Sequence, residues 1–380
     1  MKRKILVTTG TRADYGILRE LLYKIKESKK LELILVVTGS HLLKKHGFTI
    51  RDIKQDGFNI NEKIKIKPQN DDAFSTSIEL GKAIIEFARI FKKIKPDINI
   101  VLGDRDEMLA SVVAASHMNI VSAHIAGGDI SGGLDEYNRH AITKLANIHF
   151  AATKRSKERI IRMGENTKFV FNTGSLSIDE VVKEKITSKK KLEKKYGFKF
   201  TNNEILLVQH PVTTEIEKSK KQIKISLNAL IKTKKNIISI SPNMDPGNKI
   251  IFKNLEELSK KYERVRYFQN VPRADYLGFL KNCIVLIGNS SSGIVESTMF
   301  DIQVINLGIR QNGREKENSV IDIKIPTVDK IYTEIMKIFS VTKRNKKRKI
   351  HGSGNASKKI IRHLENLSIN EKLIQKQFNN

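Results

Sequence analysis

The stretch KRKILVTTGTRADYGILRELLYKIKESKKLELILVVTG, residues 2–39, decides the fold. Within it, ILVTTG (5–10) and LELILVVTG (31–39) are short runs rich in β-branched residues, and DYGILRELLYKIKES (14–28) sets its apolar residues at helical spacing. Strand, helix and strand in that order make a βαβ unit. The runs are continuously apolar instead of alternating, as strands buried on both faces of a parallel sheet are.

Outward from this unit the same rhythm continues, with a helix near 76–93, the strand DINIVLG (97–103), a helix near 106–117, the strand IVSAHIAGG (120–128) and a helix from about 135 to 147. HFAAT (149–153) and KFVFNTG (168–174) close this half, and the charge-rich stretch 182–203 reads as a boundary. A second series follows: EILLVQH (204–210), a helix near 214–232, NIISISPN (236–243), a helix near 249–261, RVRYFQNVP (264–272) and CIVLIGNSSSG (283–293). A further helix, QVINLG (303–308) and a helix near 328–338 complete it. The fold class is therefore α/β, with two Rossmann-like doubly wound parallel-sheet domains facing across a cleft. The expected boundaries are 1–180 and 181–380, with the last helix free to pack back on the N-terminal domain. Ligands of such sheets bind beyond the carboxyl ends of the strands, so the cleft is the natural site.

A chain of 380 residues exceeds what one core usually organises, which agrees with two domains of about 150–200 residues. With 39% hydrophobic and 29% charged residues the balance is globular and excludes a disordered chain. Lys+Arg 70 against Asp+Glu 41 gives a net charge of +29, which attracts anions without saying which. One cysteine, Cys283, excludes an internal disulfide framework or a cysteine-based zinc cluster, and cytoplasmic location is the expectation. The N-terminus reads as neither a secretion signal nor a membrane span, and no partner membrane is expected. The basic run KRNKKRK (343–349) reads as a solvated linker, and HGSGNASKKIIRHL after it as a glycine loop entering a helix.

The polar residues that break the apolar pattern sit just after strands. CIVLIG ends in Asn289, Ser290, Ser291, Ser292 and Gly293 before IVEST, so hydroxyls and free N–H groups at a helix start would form a phosphate cradle. Ordinary N-capping needs only one such residue and is worth about 1 kcal/mol. Arg12, in TGTRADYG after the first strand, could pair with a diphosphate, although a lone loop arginine is more often a surface charge. His210 ends the strand before Pro211 and could donate to a phosphate, act as an acid, or simply be solvated. Asp104, Asp129, Asp135 and Glu136 fall near one sheet edge, where mutual charge and apolar strand ends could move their pKa values toward neutrality; Asp129 and Asp135 could equally cap turns. The histidines lack zinc-ligand spacing, and neither an EF-hand nor a Walker loop is present, so no metal is expected.

LVTTGTRADYG, VTGSHL, LGDRDEMLA, HIAGGDISGGLDEYNRHAITKLA, QHPVTTE, SPNMDPG, IGNSSSG, INLGIRQNGRE and GSGNA, in this order from about residue 4 to 365, resemble the hydrolysing UDP-N-acetylglucosamine 2-epimerases of the sialic and legionaminic acid type. The resemblance implies the two-Rossmann GT-B arrangement and a reaction in two halves. A base removes the sugar C2 proton as UDP leaves C1, giving a 2-acetamidoglucal; water then adds, releasing N-acetylmannosamine and UDP. It implies Arg12 and His210 at the diphosphate, Ser290 and Ser291 at phosphate or nucleotide, and Glu296 on the ribose hydroxyls. Arg105, Asn243 and Arg310 take family binding positions, and Asp104 and Asp135 act as acid/base carboxylates with His41 nearby. No cofactor is implied, in keeping with the absence of GxGxxG after the first strand, and relatives form homodimers or homotetramers.

One position departs from the pattern. The family glutamate two residues after the histidine of the HIxGG motif is Ala126 here, and Asp129, three residues on, is the carboxylate that could replace it. GDP-linked or 2,4-diacetamido sugars, which related enzymes handle, are then further candidates. Two other classes compete. A GT-B glycosyltransferase would share the phosphate-binding half but would not need the carboxylates of GDRDE and GLDEYNRH. A nucleic-acid-binding protein would explain the charge, yet Lys and Arg are scattered over most helices, Trp is absent and no nucleic-acid module appears, so no specific nucleic-acid partner is expected.

Overall fold

The computed structural model describes residues 2–43, 48–65, 73–131, 133–242, 247–341 and 349–379, with backbone alone at 73, 133, 134 and 213. They form two compact units, Met1–Val182 with His351–Asn380, and Lys183–Ile350. Asn243 and nearly all of the basic run 343–349 lie outside the described residues.

The first unit carries a seven-stranded sheet. Its strands are β1 (Arg3–Thr9), β2 (Leu31–Val37), β3 (Glu62–Lys63), β4 (Ile98–Leu102), β5 (Val121–Ile125), β6 (Ile148–Ala151) and β7 (Val170–Asn172). They lie in the order β3-β2-β1-β4-β5-β6-β7, every pairing parallel, with Val7 of β1 opposite Leu35 of β2 and Ile100 of β4. The continuous apolar runs follow from two core layers. Ile5 and Val7 pack with Leu18 and Leu22 of the helix Arg12–Glu27, whereas Leu6 between them packs with Phe87 and Phe91 of the helix Ala73–Ile94. Successive side chains point to opposite faces, and here both faces are covered.

The C-terminal segment completes the first layer: Ile360 and Leu364 of the helix Ala356–Asn366 join the same core as Ile5 and Leu18. The buried Asp179 carboxylate holds that helix start, accepting from the N–H groups of Ala356 (2.8 Å) and Ser357 (2.7 Å) and from the Ser357 hydroxyl (2.6 Å). The glycine loop of the sequence is thus closed by the protein's own anion. Just before it, Gly352 (φ +95°) passes Gly174 (φ +92°) so closely that a Cβ on Gly352 would lie 3.2 Å from the Gly174 Cα, a tight contact in a left-handed backbone conformation that favours glycine.

The second unit carries a six-stranded parallel sheet. Its strands are β8 (Glu204–Val208), β9 (Asn236–Ile240), β10 (Val265–Phe268), β11 (Val285–Gly288), β12 (Gln303–Leu307) and β13 (Val320–Ile323), ordered β10-β9-β8-β11-β12-β13. Ile205, Leu207, Ile287 and Ile305 pack with Ile223, Leu227 and Leu230 of the helix Ser219–Lys232 and with Ile331 and Ile335 of Val328–Ser340. Among the described residues no helix is long and apolar enough to cross a membrane.

The edge strands β3 and β13 escape the apolar-run rule, one being two residues long and the other interrupted by Asp322. The helix expected after Gly293 is replaced by two short 3-10 turns, Ser291–Gly293 and Glu296–Met299. The reason is local competition for the backbone: the Ser297 hydroxyl donates to the Gly293 carbonyl (2.6 Å) and the Thr298 hydroxyl to that of Val295 (2.6 Å). A phosphate cradle built on a helix dipole is therefore not what this segment offers.

Candidate active site

In each sheet the strand order reverses once, between β1 and β4 in the first unit and between β8 and β11 in the second. Loops diverge at such switch points and leave a crevice at the strands' carboxyl ends. Residues of both loop sets were singled out by the sequence.

At the first switch point, the turn from β1 into the helix Arg12–Glu27 is filled from within. The buried Asp14 carboxylate accepts from the Thr9 hydroxyl (3.0 Å), from the N–H groups of Gly10 (2.8 Å) and Thr11 (2.6 Å), and from the Thr11 hydroxyl. The N–H groups of Gly10 and Thr11, of the kind a dinucleotide phosphate uses at such a turn, are thus already taken by the protein's own carboxylate. Arg12 follows with its side chain 80% exposed, its Nε 3.7 Å from Asp52 Oδ2. Across the switch point Glu107 accepts from Arg105 Nε (2.7 Å) and lies against Gly10, where a Cβ would fall 1.8 Å from Glu107 Oε1. His41 is fully buried. Its Nε2 meets the Thr9 hydroxyl (3.1 Å) and its Nδ1 that of Thr49 (2.7 Å), and burial lowers its pKa against the pull of Asp14. His41, expected near the acid/base carboxylates, is thus held between Thr9 and Thr49 at the β1 loop.

The acidic loops after β4 and β5 converge on one cation. Arg139, from the helix Gly133–Leu145 and 4% exposed, donates to Asp104 Oδ2, to the Asp129 carbonyl (3.2 Å) and to the Ser131 hydroxyl (2.8 Å). One turn earlier on the same helix stands Asp135. Partial withdrawal from water and then the Asp104 charge raise its pKa, while Arg139 and Arg105 pull the other way. Asp104 and Asp135 therefore feel each other, one bonded to a buried guanidinium and the other biased toward holding a proton. Asn138 Nδ2 fixes Asp106 (2.8 Å) beside them.

Ala126 has φ +62° and packs its methyl on the core, so no carboxylate stands there. Asp129 is joined to the Asp104 group through its carbonyl, with its carboxylate accepting from the Ser156 hydroxyl (2.5 Å). Arg139 was not singled out by the sequence, although its i,i+4 spacing from Asp135 puts the two on one helix face.

At the second switch point one buried side chain organises the loops. Asn289 Oδ1 accepts from the His210 N–H (2.7 Å) and Asn289 Nδ2 donates to the His210 carbonyl (2.9 Å). The Asn289 carbonyl accepts from Arg310 Nη1 (3.2 Å) and Gln311 Nε2 (3.0 Å). His210, Arg310 and the Ser290–Ser291 turn are thereby gathered at one sheet edge. Gly288, at φ +135°, permits the approach, since a Cβ there would fall 1.9 Å from the Val208 carbonyl oxygen. Glu296 is gripped by both terminal nitrogens of Arg273 (3.0 and 2.5 Å), which orients its carboxylate.

The second unit thus presents cations and hydroxyls suited to an anion, and the first presents carboxylates suited to moving protons. Among the described residues no cluster of His, Cys, Asp or Glu is placed to hold a metal ion.

The chain matches the sequence profile of UDP-N-acetylglucosamine 2-epimerases over residues 23–365. It is 37% identical over 376 residues, 99% of each chain, to a hydrolysing UDP-N,N'-diacetylbacillosamine 2-epimerase of Legionella pneumophila. It is 34% identical, over 88% of each chain, to a hydrolysing GDP/UDP-N,N'-diacetylbacillosamine 2-epimerase of Campylobacter jejuni. In fold it is similar to the UDP-GlcNAc 2-epimerase of Neisseria meningitidis solved with UDP-GlcNAc, with TM-score 0.76 at 19% identity over 95% of this chain and 99% of that one. A profile match over most of its length and 37% identity over 99% of the chain place it in the UDP-N-acetylglucosamine 2-epimerase family.

Proposed function

We propose that the chain is a hydrolysing 2-epimerase of a UDP-linked 2-acetamido sugar, with a 2,4-diacetamido sugar as preferred substrate. The observation that carries this reading is the pairing of Asp104, bonded to the buried Arg139, with Asp135, whose proton affinity is raised. Two carboxyls in unlike surroundings can hold a base and an acid at the same pH.

In this reading Arg12, His210, Arg310, Ser290 and Ser291 take the diphosphate and Glu296 the ribose, while the carboxylates of the first unit work at the sugar. One aspartate removes the C2 proton, the C2–H electron pair forms the C1–C2 double bond, and the C1–O bond breaks with its electrons leaving on UDP. Cations on the diphosphate stabilise that growing charge. Water then adds its hydroxyl to C1, and a carboxyl returns a proton to C2 on the opposite face. The products are UDP and the free 2-epimer. The substrate preference is supported by the names of the two relatives above.

The test is UDP release from UDP-N,N'-diacetylbacillosamine and from UDP-N-acetylglucosamine at equal concentration. The former is expected to react faster, with a mannosamine-configured sugar as co-product. A preference for UDP-N-acetylglucosamine would remove the diacetamido assignment, and release of the unepimerised sugar would remove the epimerase.

A further inference from the structure

In the second unit the first turn of the helix Arg273–Asn282 bears on the loops assigned to the nucleotide. Arg273 and Tyr276 stand three residues apart and share one helix face. Arg273 Nη1 donates to Glu296 Oε2 (3.0 Å) and Nη2 to Oε1 (2.5 Å), while the Tyr276 hydroxyl meets that of Ser292. The opposite side of the turn is tied down. The buried Asp275 carboxylate accepts from the Thr187 hydroxyl (2.5 Å), the Lys195 ammonium and the Tyr196 hydroxyl (2.8 Å), and the Ala274 carbonyl accepts from the Thr187 N–H (3.1 Å). A turn held from behind presents Arg273 with little freedom, and the guanidinium fork in turn fixes the plane of the Glu296 carboxylate.

We propose that Arg273 is a positioning residue that sets Glu296 to accept from both ribose hydroxyls, and so determines the preference for a ribonucleotide over a 2'-deoxyribonucleotide. The proposal rests on the reading of Glu296 at the ribose. A carboxylate has about four acceptor sites, and the fork takes one on each oxygen, which leaves one on each oxygen for a donor from elsewhere. The adjacent cis hydroxyls of a ribose are two such donors side by side. A ligand can approach the pair, since 31% of the Arg273 side chain and 13% of the Glu296 side chain remain exposed. Arg273 also offsets the Glu296 charge, which would otherwise repel a diphosphate. Lysine would supply that charge without the fork, so charge and orientation can be separated.

The experiment measures calorimetric affinities for UDP and 2'-deoxy-UDP in the wild-type protein, Arg273→Lys, Arg273→Ala, Glu296→Ala and Tyr276→Phe, with circular dichroism to check that each is folded. The wild-type protein is expected to prefer UDP by about tenfold or more, the loss that follows when a charged acceptor is left without its donor. Arg273→Lys, which keeps the charge, should reduce the preference to about threefold or less, and Arg273→Ala and Glu296→Ala should do the same. Tyr276→Phe removes a hydroxyl from the same helix face without touching Glu296, and should leave the preference intact. A full preference in Arg273→Lys, or its loss in Tyr276→Phe, overturns the positioning role, while a collapse in Glu296→Ala leaves the ribose reading standing. Equal wild-type affinities, binding of neither nucleotide, or a full preference in Glu296→Ala remove the ribose reading and the proposal with it. The readout is a ratio of affinities, so it holds whichever sugar the protein turns over.

Discussion

Asp104→Asn is expected to lower UDP release by about a thousandfold, within the range of 10²–10⁴ that a positioned proton-transfer group contributes, while UDP affinity changes by no more than about threefold. The substitution preserves an acceptor oxygen for Arg139 and removes the charge. It also removes one of the influences that raise Asp135, so the pKa of Asp135 should move down. The pH dependence of any residual rate should shift to lower pH with it. Because Arg139 is buried and loses its counter-charge, unfolding measurements must accompany the kinetics. A variant that is folded, fully active and deficient in UDP binding would place Asp104 at the nucleotide and refute its role at carbon.

Acidification is expected to destabilise the first unit well above the carboxylate range. His124, buried in β5, donates from Nε2 to the Gly103 carbonyl (2.8 Å), and burial pushes its pKa down to about 3. In the unfolded chain the same group titrates near ~6.5. Between those values the unfolded state binds a proton that the native state refuses, so stability falls as pH falls, by about 1.4 kcal/mol per pH unit. The contribution at pH ~5 is then a loss of about 2 kcal/mol from this residue alone.

His41 and His149 are also buried with lowered pKa values and act in the same direction. Glu165 joins only at lower pH. Buried, yet bonded to His149, Lys144 and Lys376, it is held at about 2, and its stabilisation disappears as pH drops from the ordinary glutamate range toward that value. Urea unfolding at about pH 7.5 and about pH 5 checks this, and His124→Gln should flatten the dependence by about one proton. Equal midpoints at the two pH values would contradict the neutral, buried state of these rings.

Most of the fold was legible because a parallel sheet covered on both sides imposes an uninterrupted apolar run, as Ile5, Leu6 and Val7 show by facing opposite core layers. The site was legible only in part. Residues after strands could be chosen because the architecture places sites there: Asp104 follows β4, His210 β8, Ser290 β11 and Arg310 β12, while Asp135 stands in the helix after β5. What holds them was hidden. Asn289 grips His210 across 79 residues of sequence, and no local pattern announces such a contact. Arg139 sits in an amphipathic helix, where a charged residue reads as a solvated face until the fold buries it. The burial of His41 was hidden as well, since a histidine at a strand end has the same sequence signature whether its ring faces water or the core. The turn after β11 looked like a helix start because its hydroxyls suit an N-cap, and Ser290 does accept from the Ser292 N–H; the hydroxyls of Ser297 and Thr298 farther on bond nearby carbonyls and the segment stays in short 3-10 turns.

The most direct test of proton transfer at C2 is turnover of the nucleotide sugar in deuterium oxide, followed by NMR of the free sugar. One deuterium at C2 of a mannosamine-configured product, appearing in step with UDP, is the outcome that elimination and rehydration require. UDP release with the original hydrogen retained at C2 would mean simple hydrolysis at C1, and the aspartates would have no carbon acid to serve.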